Sequence, residues 1–465
     1  MHRFQPEPIP TGDSSVEVPE VSLDATTDLL GFSTDGHDPF SPSAIVHGYL
    51  FVFVIAFLVT LLLTPLVRKL AFRAGIVDWP DSNRKMHREP VAYLGGVAVF
   101  LGLFAGIAGS YLFDGYVPGL TPIPLHVVIA MVVILFTGLA DDILHWDPYT
   151  KVGGMFIAAA VLAWDDAIGG RVAEGLLAPF QSLLEASFGI VVDFHALPII
   201  PGVWDIDLVY WTGAFIIAAF VLIGCNAANL LDGLDGLLTG SVSIMASALL
   251  AISVLLAAKN YGELTGARVA LCFALLGATL GFLPHNFRPA TIFLGDAGSL
   301  LLGFSVMVIV LLLGENGQTH LVFAGLIVFA LPLIDMTLAI IRRRLAGLPI
   351  FTPDRDHLHH MLSRTRLRVV GSVFVLYAIS GVFALLAVTL VFMRARLVYA
   401  IGLVFAGFIV VTGIKVARRS QRIAEIERIK SRRDAEATSA APTPSESPRP
   451  ASAKDPAPAE VSAAK

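Results

Sequence analysis

The sequence is poor in charge. Only 15% of its 465 residues are Asp, Glu, Lys or Arg, whereas 55% are hydrophobic, and the mean hydropathy is +0.75. The surface of a soluble protein of this size needs more charge than this. Apolar runs close to the roughly 20 residues that cross a bilayer recur along the chain. The composition therefore predicts a polytopic membrane protein whose first partner is the lipid bilayer.

Cysteine is also scarce, since the chain has only Cys225 and Cys272, both within apolar runs. This excludes a disulfide framework and a cysteine metal site. The net charge of -5 gives no basic excess that would indicate a nucleic-acid partner. The first apolar run lacks both a basic segment before it and a small-residue cleavage site, so it is predicted to be a retained span.

The apolar runs predict an all-α fold with eleven spans. Their extents are 45–66, 93–113, 125–140, 151–164, 209–226, 238–257, 268–284, 298–314, 320–341, 369–392 and 398–416. This divides the chain into a polar N-terminal extension (1–44), a membrane domain (45–416) and a tail (417–465) that is basic and then rich in Ala, Pro and Ser. The basic part, RIAEIERIKSRR, is typical of an interfacial helix or of a solvated charged helix. The last part is typical of a disordered segment.

Most Lys and Arg of the connecting loops follow the odd-numbered spans, which predicts that these loops are cytoplasmic, with the N-terminus outside and the C-terminus inside. Five unusual polar motifs fall on the same side. They are NRKMHREP (83–90), DDILHWDP (141–148), NAANLLDGLDG (226–236), PHNFRPATIFLGDAGS (284–299) and RRRLAGLPIFTPDRDHLHHML (342–362). We expect them to build one site on the cytoplasmic face.

In the third motif, Asn226, Asn229, Asp232 and Asp235 recur at every third position. Four residues at this spacing drift around an α-helix, so they cannot share one face. The glycines that follow the two aspartates predict that the span ends near Asn229 and that a turn carries Asp232 and Asp235 over its mouth. Such amides and carboxylates suit a nucleobase and a ribose, although helix capping by Asn and Asp is the alternative.

Three carboxylates come from two further motifs. Asp141 and Asp142 are adjacent at the end of a span, where a divalent cation would relieve their repulsion, although capping of the following helix also explains them. Asp296 lies between two glycines in GDAGS, with Ser299 placed to cap the next span. Together the carboxylates predict a site for Mg²⁺, with Mn²⁺ as an alternative, that bridges a pyrophosphate.

The last motif brings basic groups together. Arg355, His357, His359 and His360 lack the accompanying residues of a zinc site. Arginine and histidine suit phosphate oxygens instead. Lys85 and His87 of the first motif would add positive charge, although basic residues are common in any cytoplasmic loop.

Together, RKMHREPVAYLGG, GLADDILHWDP, CNAANLLDGLDGL, FLGDAGSLLLG and FTPDRDHLHHML resemble the polyprenyl-phosphate N-acetylhexosamine-1-phosphate transferase family of bacterial membranes. The resemblance covers residues 45 to 416. It implies a bundle of ten or eleven helices in the bacterial cytoplasmic membrane, which transfers a sugar 1-phosphate from a UDP-sugar to undecaprenyl phosphate and releases UMP. A homodimer is one assembly that this sequence leaves open.

The resemblance also implies roles for the motif residues. Asp141 and Asp142 would be the essential acidic pair, with Asp141 acting on the lipid phosphate, and Asp296 would be the main Mg²⁺ ligand. The nucleotide and sugar would bind to Asn226, Asn229, Asp232 and Asp235. The pyrophosphate would bind to Arg355, His357, His359 and His360, with Lys85 and His87 lining the same pocket.

The form PDRDHLHH resembles the branch that transfers N-acetylglucosamine 1-phosphate at the start of a cell-surface polysaccharide. The alternatives are UDP-N-acetylgalactosamine, a deoxy amino sugar, or the muramoyl-pentapeptide substrate of the related branch. Met155 stands where the family pattern has Gln, and the 165–208 loop is long. From other classes, a secondary transporter would place its carboxylates in mid-span, and a non-catalytic scaffold would not need all three of its aspartates.

Overall fold

A computed structural model describes residues 41–79, 90–112, 122–200, 204–259, 264–349, 357–363 and 367–439. Lys85, His87, Arg355 and most of both terminal extensions lie outside these ranges. The helices are α1 (Pro42–Ala74), α2 (Gly95–Leu112), α3 (Leu125–Leu144), α4 (Pro148–Leu162), α5 (Asp166–Phe188), α6 (Leu208–Leu231), α7 (Leu237–Ala257), α8 (Thr265–Asn286), α9 (Gly295–Leu312), α10 (Thr319–Val328), α11 (Ala330–Leu345), α12 (Leu358–Ser363), α13 (Arg368–Leu390) and α14 (Ala395–Ser439). Two antiparallel pairs, β1 (Val77–Asp78) with β2 (Val91–Ala92) and β3 (Leu197–Ile200) with β4 (Trp204–Ile206), complete the described part.

Within the described ranges, nine helices are long and apolar enough to cross a membrane, and a bent pair makes a tenth. The predicted all-α polytopic fold is therefore confirmed, but the predicted count of eleven spans is not reached. The fourth expected span is α4, whose 15 residues reach only about 22 Å at 1.5 Å per residue, short of a roughly 30 Å hydrocarbon core.

The ninth expected span is the pair α10 and α11, which meet at Phe329 at an angle of 78°. Pro332 lies in the first turn of α11, where its missing N–H costs nothing, so the second half begins there as a new helix.

The central element is α9. Every residue of this helix is buried except Asp296. A helix that is apolar on all sides is stable only inside a bundle, and α9 packs against α2, α3 and α6. The bundle therefore surrounds a helix whose single partly open position carries a carboxylate.

Two glycines allow the start of α9 to lie close to its neighbours. A Cβ added to Gly96 of α2 would lie 2.2 Å from the backbone nitrogen of Gly298, and one added to Gly138 of α3 would lie 2.5 Å from that of Ala297. Neither position leaves room for a side chain, because the nearest atoms belong to the backbone of α9 and cannot move aside. The N-terminus of α9 is thus fixed between α2 and α3, beside the end of α3.

The opposite end of the bundle contains α5 and the β3–β4 hairpin. Glu315, just beyond the C-terminus of α9, makes ion pairs with Arg268 of α8 at 3.7 Å and with Arg171 of α5 at 3.8 Å. The 18 residues of α9 separate this end from Asp296 by about 27 Å. The long 165–208 segment therefore lies far from the predicted site.

The final helix contains both the last predicted span and the basic segment, for which an interfacial helix and a solvated charged helix were the alternatives. The span and the basic segment form one continuous helix, α14, of 45 residues. No glycine or proline interrupts residues 414–439, so the sequence contains no stop signal between the two parts.

Candidate functional site

A cleft of about 810 Å³ opens at the end of the bundle where α3 and α6 end and α9 begins. Five of the predicted site residues line it, namely Asn229, Asp232, Asp235, Asp296 and His360. They come from three motifs that are far apart in the sequence. The structure thus brings these motifs together at one place, as the loop pattern predicted.

Asp142 holds the first turn of α9 in place. Its Oδ1 accepts the backbone N–H of Asp296 at 2.8 Å, and its Oδ2 accepts that of Ala297 at 3.0 Å. Gly295, with φ of 73°, turns the chain over this carboxylate. Unbonded N–H groups and the helix dipole make a helix N-terminus a favourable place for a negative charge.

Ser299 does not have the capping role expected of it. It lies inside α9, because the helix already begins at Gly295. Its buried Oγ accepts a hydrogen bond from Nδ2 of Asn229 at 2.9 Å. The N-terminus of α9 is capped from another helix by Asp142, which a local sequence pattern cannot show.

Asp141 points to a different partner from its neighbour. Nζ of Lys151 lies 3.1 Å from Oδ2 of Asp141 and also forms an ion pair with Oδ2 of Asp296. One ammonium group therefore joins the ends of α3 and α9. The charge attraction is strengthened because all three side chains are at least partly withdrawn from water.

Local sequence explains where Lys151 lies. Asp147 is the N-cap of α4 and accepts the N–H of Thr150, and Pro148 occupies the first helical position. The short connection after α3 then returns Lys151, one turn into α4, to the end of α3. No motif in the sequence points to Lys151; its position ten residues after Asp141 is the one signal that could have found it.

Asn229 completes this group. Its Nδ2 donates to Oδ1 of Asp296 at 2.7 Å, while Lys151 contacts the other oxygen of the same carboxylate. Asp296 is therefore held on both sides.

Asn226 lies one turn earlier in α6 and is not part of the cleft wall. Its Nδ2 donates to the carbonyl of Leu222 at 2.8 Å and contacts Sδ of Met155 at 3.4 Å. Met155, which stands where the family pattern has Gln, is thus the neighbour of Asn226, and Met155 is fully buried.

The turn after α6 follows the prediction closely. The helix ends at Leu231, and Gly236 with φ of 78° carries the chain into α7. Oδ2 of Asp235 accepts the backbone N–H of Ala290 at 3.3 Å, which ties this turn to the loop before α9. Asp232 is only partly accessible from the cleft. Loss of water around it, together with the charges of Asp296, Asp142 and Asp235, raises its pKa to about 8.

The three histidines separate. His360 lines the cleft, whereas His357 and His359 are buried. Nδ1 of His357 lies 3.1 Å from Oδ2 of Asp335, a carboxylate of α11 that the sequence analysis did not identify. Burial, followed by the neighbouring His360, lowers the pKa of His359 to about 3, so this ring is neutral at physiological pH. The described structure therefore brings only His360 of the three to the cleft surface.

Two aromatic residues that the sequence analysis passed over also line the cleft. The rings of Tyr93 and Phe293 meet edge to face, with centroids 5.8 Å apart. Tyr93 directly precedes the LGG that begins α2, and Phe293 precedes the LGD that begins α9. Their aromatic faces give the acidic cleft an apolar wall that suits a nucleobase.

The expected ligands for Mg²⁺ are the carboxylates of Asp141, Asp142 and Asp296. No group of three or more His, Cys, Asp or Glu side chains is arranged to hold a metal ion among the described residues. Both oxygens of Asp142 accept backbone N–H groups, so the expected ligand trio does not form a ready cage. Asp141 and Asp296 remain, and Mg²⁺ commonly binds one or two carboxylates together with substrate phosphates and water. Lys151 contacts both carboxylates in this structure, so a metal ion that arrives with a phosphorylated substrate fits here when it displaces Lys151.

The chain is similar to a known protein family and to several named bacterial proteins. The sequence profile of Glycosyl transferase family 4 matches residues 124–314, which include Asp141, Asn229 and Asp296. A Bacillus subtilis relative named "Probable undecaprenyl-phosphate N-acetylglucosaminyl 1-phosphate transferase" is 31% identical over 73% of this chain and 84% of its own. The Mycobacterium tuberculosis decaprenyl-phosphate N-acetylglucosaminephosphotransferase is 33% identical over 77% of this chain and 86% of its own.

The undecaprenyl-phosphate α-N-acetylglucosaminyl 1-phosphate transferase of Escherichia coli (strain K12) is 32% identical over 66% of this chain and 74% of its own. The similarity extends well beyond the profile match and covers most of the helical bundle. This chain therefore belongs to glycosyl transferase family 4, the family of polyprenyl-phosphate N-acetylhexosamine-1-phosphate transferases.

Proposed function

We propose that this protein transfers N-acetylglucosamine 1-phosphate from UDP-N-acetylglucosamine to undecaprenyl phosphate and releases UMP. The observation that carries the proposal is the contact of Lys151 with both Asp141 and Asp296, the last of which lines the cleft. These two carboxylates and the ammonium group support the proposal because phosphoryl transfer needs groups that position phosphates and neutralise charge. The names of the relatives support the sugar and the prenyl acceptor.

In this reaction an oxygen of the lipid phosphate attacks the β-phosphorus of the UDP-sugar. A new P–O bond forms as the bond to the UMP oxygen breaks, and UMP leaves with the electron pair. Asp141 positions the lipid phosphate and accepts its proton if the phosphate arrives protonated. Lys151 neutralises charge between Asp141 and Asp296, and Asn229 fixes the orientation of Asp296. Phosphoryl transfer depends chiefly on such positioning and charge neutralisation.

Asp296 and Asp141 would hold Mg²⁺, or Mn²⁺ in its place, and the ion would supply charge neutralisation on the pyrophosphate. The Tyr93–Phe293 wall and the Asp232–Asp235 turn are placed to take the nucleoside. His360 lies on the same cleft wall and suits the phosphates. We further propose that the cleft faces the cytoplasm of a bacterium and that the product starts a cell-surface polysaccharide.

The test uses detergent-purified full-length protein with Mg²⁺, undecaprenyl phosphate and a panel of UDP-sugars. UMP release that requires the lipid acceptor and is fastest with UDP-N-acetylglucosamine supports the proposal. UMP release that is fastest with UDP-N-acetylgalactosamine or another sugar corrects the substrate. Absence of UMP with every sugar, from protein that unfolds cooperatively, rejects the proposed reaction.

A further inference from the structure

A carboxylate outside the cleft controls the start of α12. Asp335 of α11 is fully buried, and its Oδ1 accepts the backbone N–H of Leu358 at 2.9 Å. Its Oδ2 lies 3.1 Å from Nδ1 of His357. With Nδ1 of His357 as the donor, each oxygen of Asp335 accepts one hydrogen bond. One side chain thus fixes both the first residue of α12 and the ring before it.

The contact continues toward the cleft through stacked rings. His357 and His359 lie parallel, with an interplanar angle of 6° and centroids 5.6 Å apart. His359 packs on the turn after α6 so closely that a Cβ added to Gly233 would lie 2.1 Å from its Nε2. Gly233 is flanked by Asp232 and lies on the cleft wall. A continuous set of contacts therefore runs from Asp335 through His357 and His359 to Gly233.

His359 acts through packing and not through charge. It is 1% exposed, and its Nδ1 has no hydrogen-bond partner within the described structure. An unpaired ring nitrogen in such a place is costly, so packing against Gly233 must hold the ring there. His360, the next residue, reaches the cleft from the same short helix.

We propose that Asp335 is a positioning residue for substrate binding. Through His357 it holds α12, and through the His357–His359 stack it fixes the turn at Gly233, so that His360 of α12 and Asp232 beside Gly233 keep their places in the cleft. This inference rests on the proposed function for its kinetic consequences. The placement of α12 by Asp335 can be tested without any reaction.

The chain offers a matched control for Asp335. Asp207 caps the start of α6 by accepting the N–H of Tyr210 at 2.8 Å, and its other oxygen lies 3.4 Å from Nδ1 of His195. This is the same combination of a helix cap and a histidine contact, at the opposite end of the bundle from the cleft. Removing it changes a comparable set of bonds but no cleft residue.

The first experiment measures hydrogen–deuterium exchange of the full-length protein in detergent. Asp335→Ala is expected to increase deuterium uptake in peptides that cover 357–363 and the 232–236 turn, and Asp207→Ala to leave both unchanged. Unchanged uptake in both segments of Asp335→Ala would overturn the proposal. This result does not depend on activity, so it separates failure of the positioning role from failure of the proposed function.

The second experiment measures kcat and KM for UDP-N-acetylglucosamine. In Asp335→Asn the amide oxygen can still accept the N–H of Leu358, but the amide N–H now points at Nδ1 of His357. Nδ1 must then accept a hydrogen bond, so the hydrogen of the ring moves to Nε2. We expect kcat/KM to fall about 10- to 100-fold, the scale of a 1 Å misplacement, with most of the change in KM. Asp207→Asn should stay within about twofold of the wild type, given the usual independence of distant sites.

Two further variants separate positioning from general damage. In a His357→Ala background, Asp335→Asn should have almost no further effect, because the contact it alters is already absent. Gly233→Ala should raise KM, because its Cβ would push against the ring of His359. Gly381→Ala should leave KM unchanged, because its Cβ would meet nothing within 4 Å. Full additivity of Asp335→Asn and His357→Ala, or normal KM in Gly233→Ala, would overturn the inference even if one variant failed to fold.

Discussion

Oδ1 of Asp142 accepts the backbone N–H of Asp296 at 2.8 Å, so one aspartate fixes the backbone of the other. Its neighbour Asp141 instead shares Lys151 with the side chain of Asp296. The two adjacent carboxylates thus have different roles. Asp142 fixes the start of α9 through its backbone, and Asp141 shares Lys151 with the side chain of Asp296. This division leads to different expectations for substitutions at the two positions.

Substitution of Asp141 or Asp296 should remove activity without removing the protein. We expect Asp141→Asn and Asp296→Asn to abolish transfer, because each deletes a charge that the phosphate chemistry needs. Both proteins should remain in the membrane at wild-type amounts. Quantitative blotting of membranes beside the UMP assay tests this, and full activity in either variant would reject the assigned site.

Substitution of Asp142 should also reduce stability. Asp142→Ala removes the acceptor for two N–H groups at the start of α9 and should lower the free energy of unfolding by about 0.5–2 kcal/mol, the usual cost of a lost helix cap. Thermal unfolding in detergent measures it, with Asp141→Asn as the comparison. Equal unfolding temperatures for Asp142→Ala and the wild type would contradict the capping role.

Lys151 should affect both catalysis and the metal requirement. Lys151→Gln leaves Asp141 and Asp296 without their shared cation, so kcat should fall about 100-fold or more, as expected when an electrostatic contact at the reacting groups is lost. The concentration of Mg²⁺ for half-maximal activity should decrease, since the carboxylates become free to bind it. Lys259→Gln, at the opposite end of the bundle, is the control. A variant with an increased Mg²⁺ requirement would show that Lys151 does not compete with the ion.

The raised pKa of Asp232 predicts a pH-dependent stability. Between about pH 4 and pH 8 the folded protein keeps a proton that the unfolded chain, with a pKa near 3.8, has lost. The free energy of unfolding should therefore fall as pH rises through this window. Above the window, titration of Asp232 should change it no further. The Asp232→Asn side chain cannot titrate, so the free energy of unfolding of this variant should fall less across the window than that of the wild type. Unfolding temperatures of both proteins across the window measure the difference, and parallel curves would contradict it.

Much of the site follows from the sequence because its carboxylates and amides stand out in apolar surroundings. Burial of charge is costly, so Asp141, Asp232 and Asp296 at span ends indicated a ligand site before any fold was known. The turn after Asn229 followed from its glycines. These are local signals; the structure brings Asp232 and Asp296 to the cleft, and Asp141 to Lys151, which also contacts Asp296.

The remaining features depend on contacts between distant segments. Lys151 looks like an ordinary basic residue beside a span until the connection to α4 returns it to Asp141. Asp335 lies in a helix with three arginines at its end, and only the fold shows that it meets His357. The three histidines resemble one phosphate-binding group, but burial removes His357 and His359 from the cleft. Hydropathy predicted the apolar segments of α4 and of α10–α11, but it could not show that α4 is too short to span alone or that α10 and α11 meet at 78°.

The central claim is that the β-phosphorus of the nucleotide sugar moves to the lipid together with the sugar. It is tested most directly with UDP-N-acetylglucosamine carrying radioactive phosphorus at the β position, incubated with the purified protein, Mg²⁺ and undecaprenyl phosphate. We expect the label in the lipid product and unlabelled UMP as the released nucleotide. Label recovered in released UDP would mean that only the sugar is transferred, which would contradict the proposed chemistry at Asp141, Lys151 and Asp296.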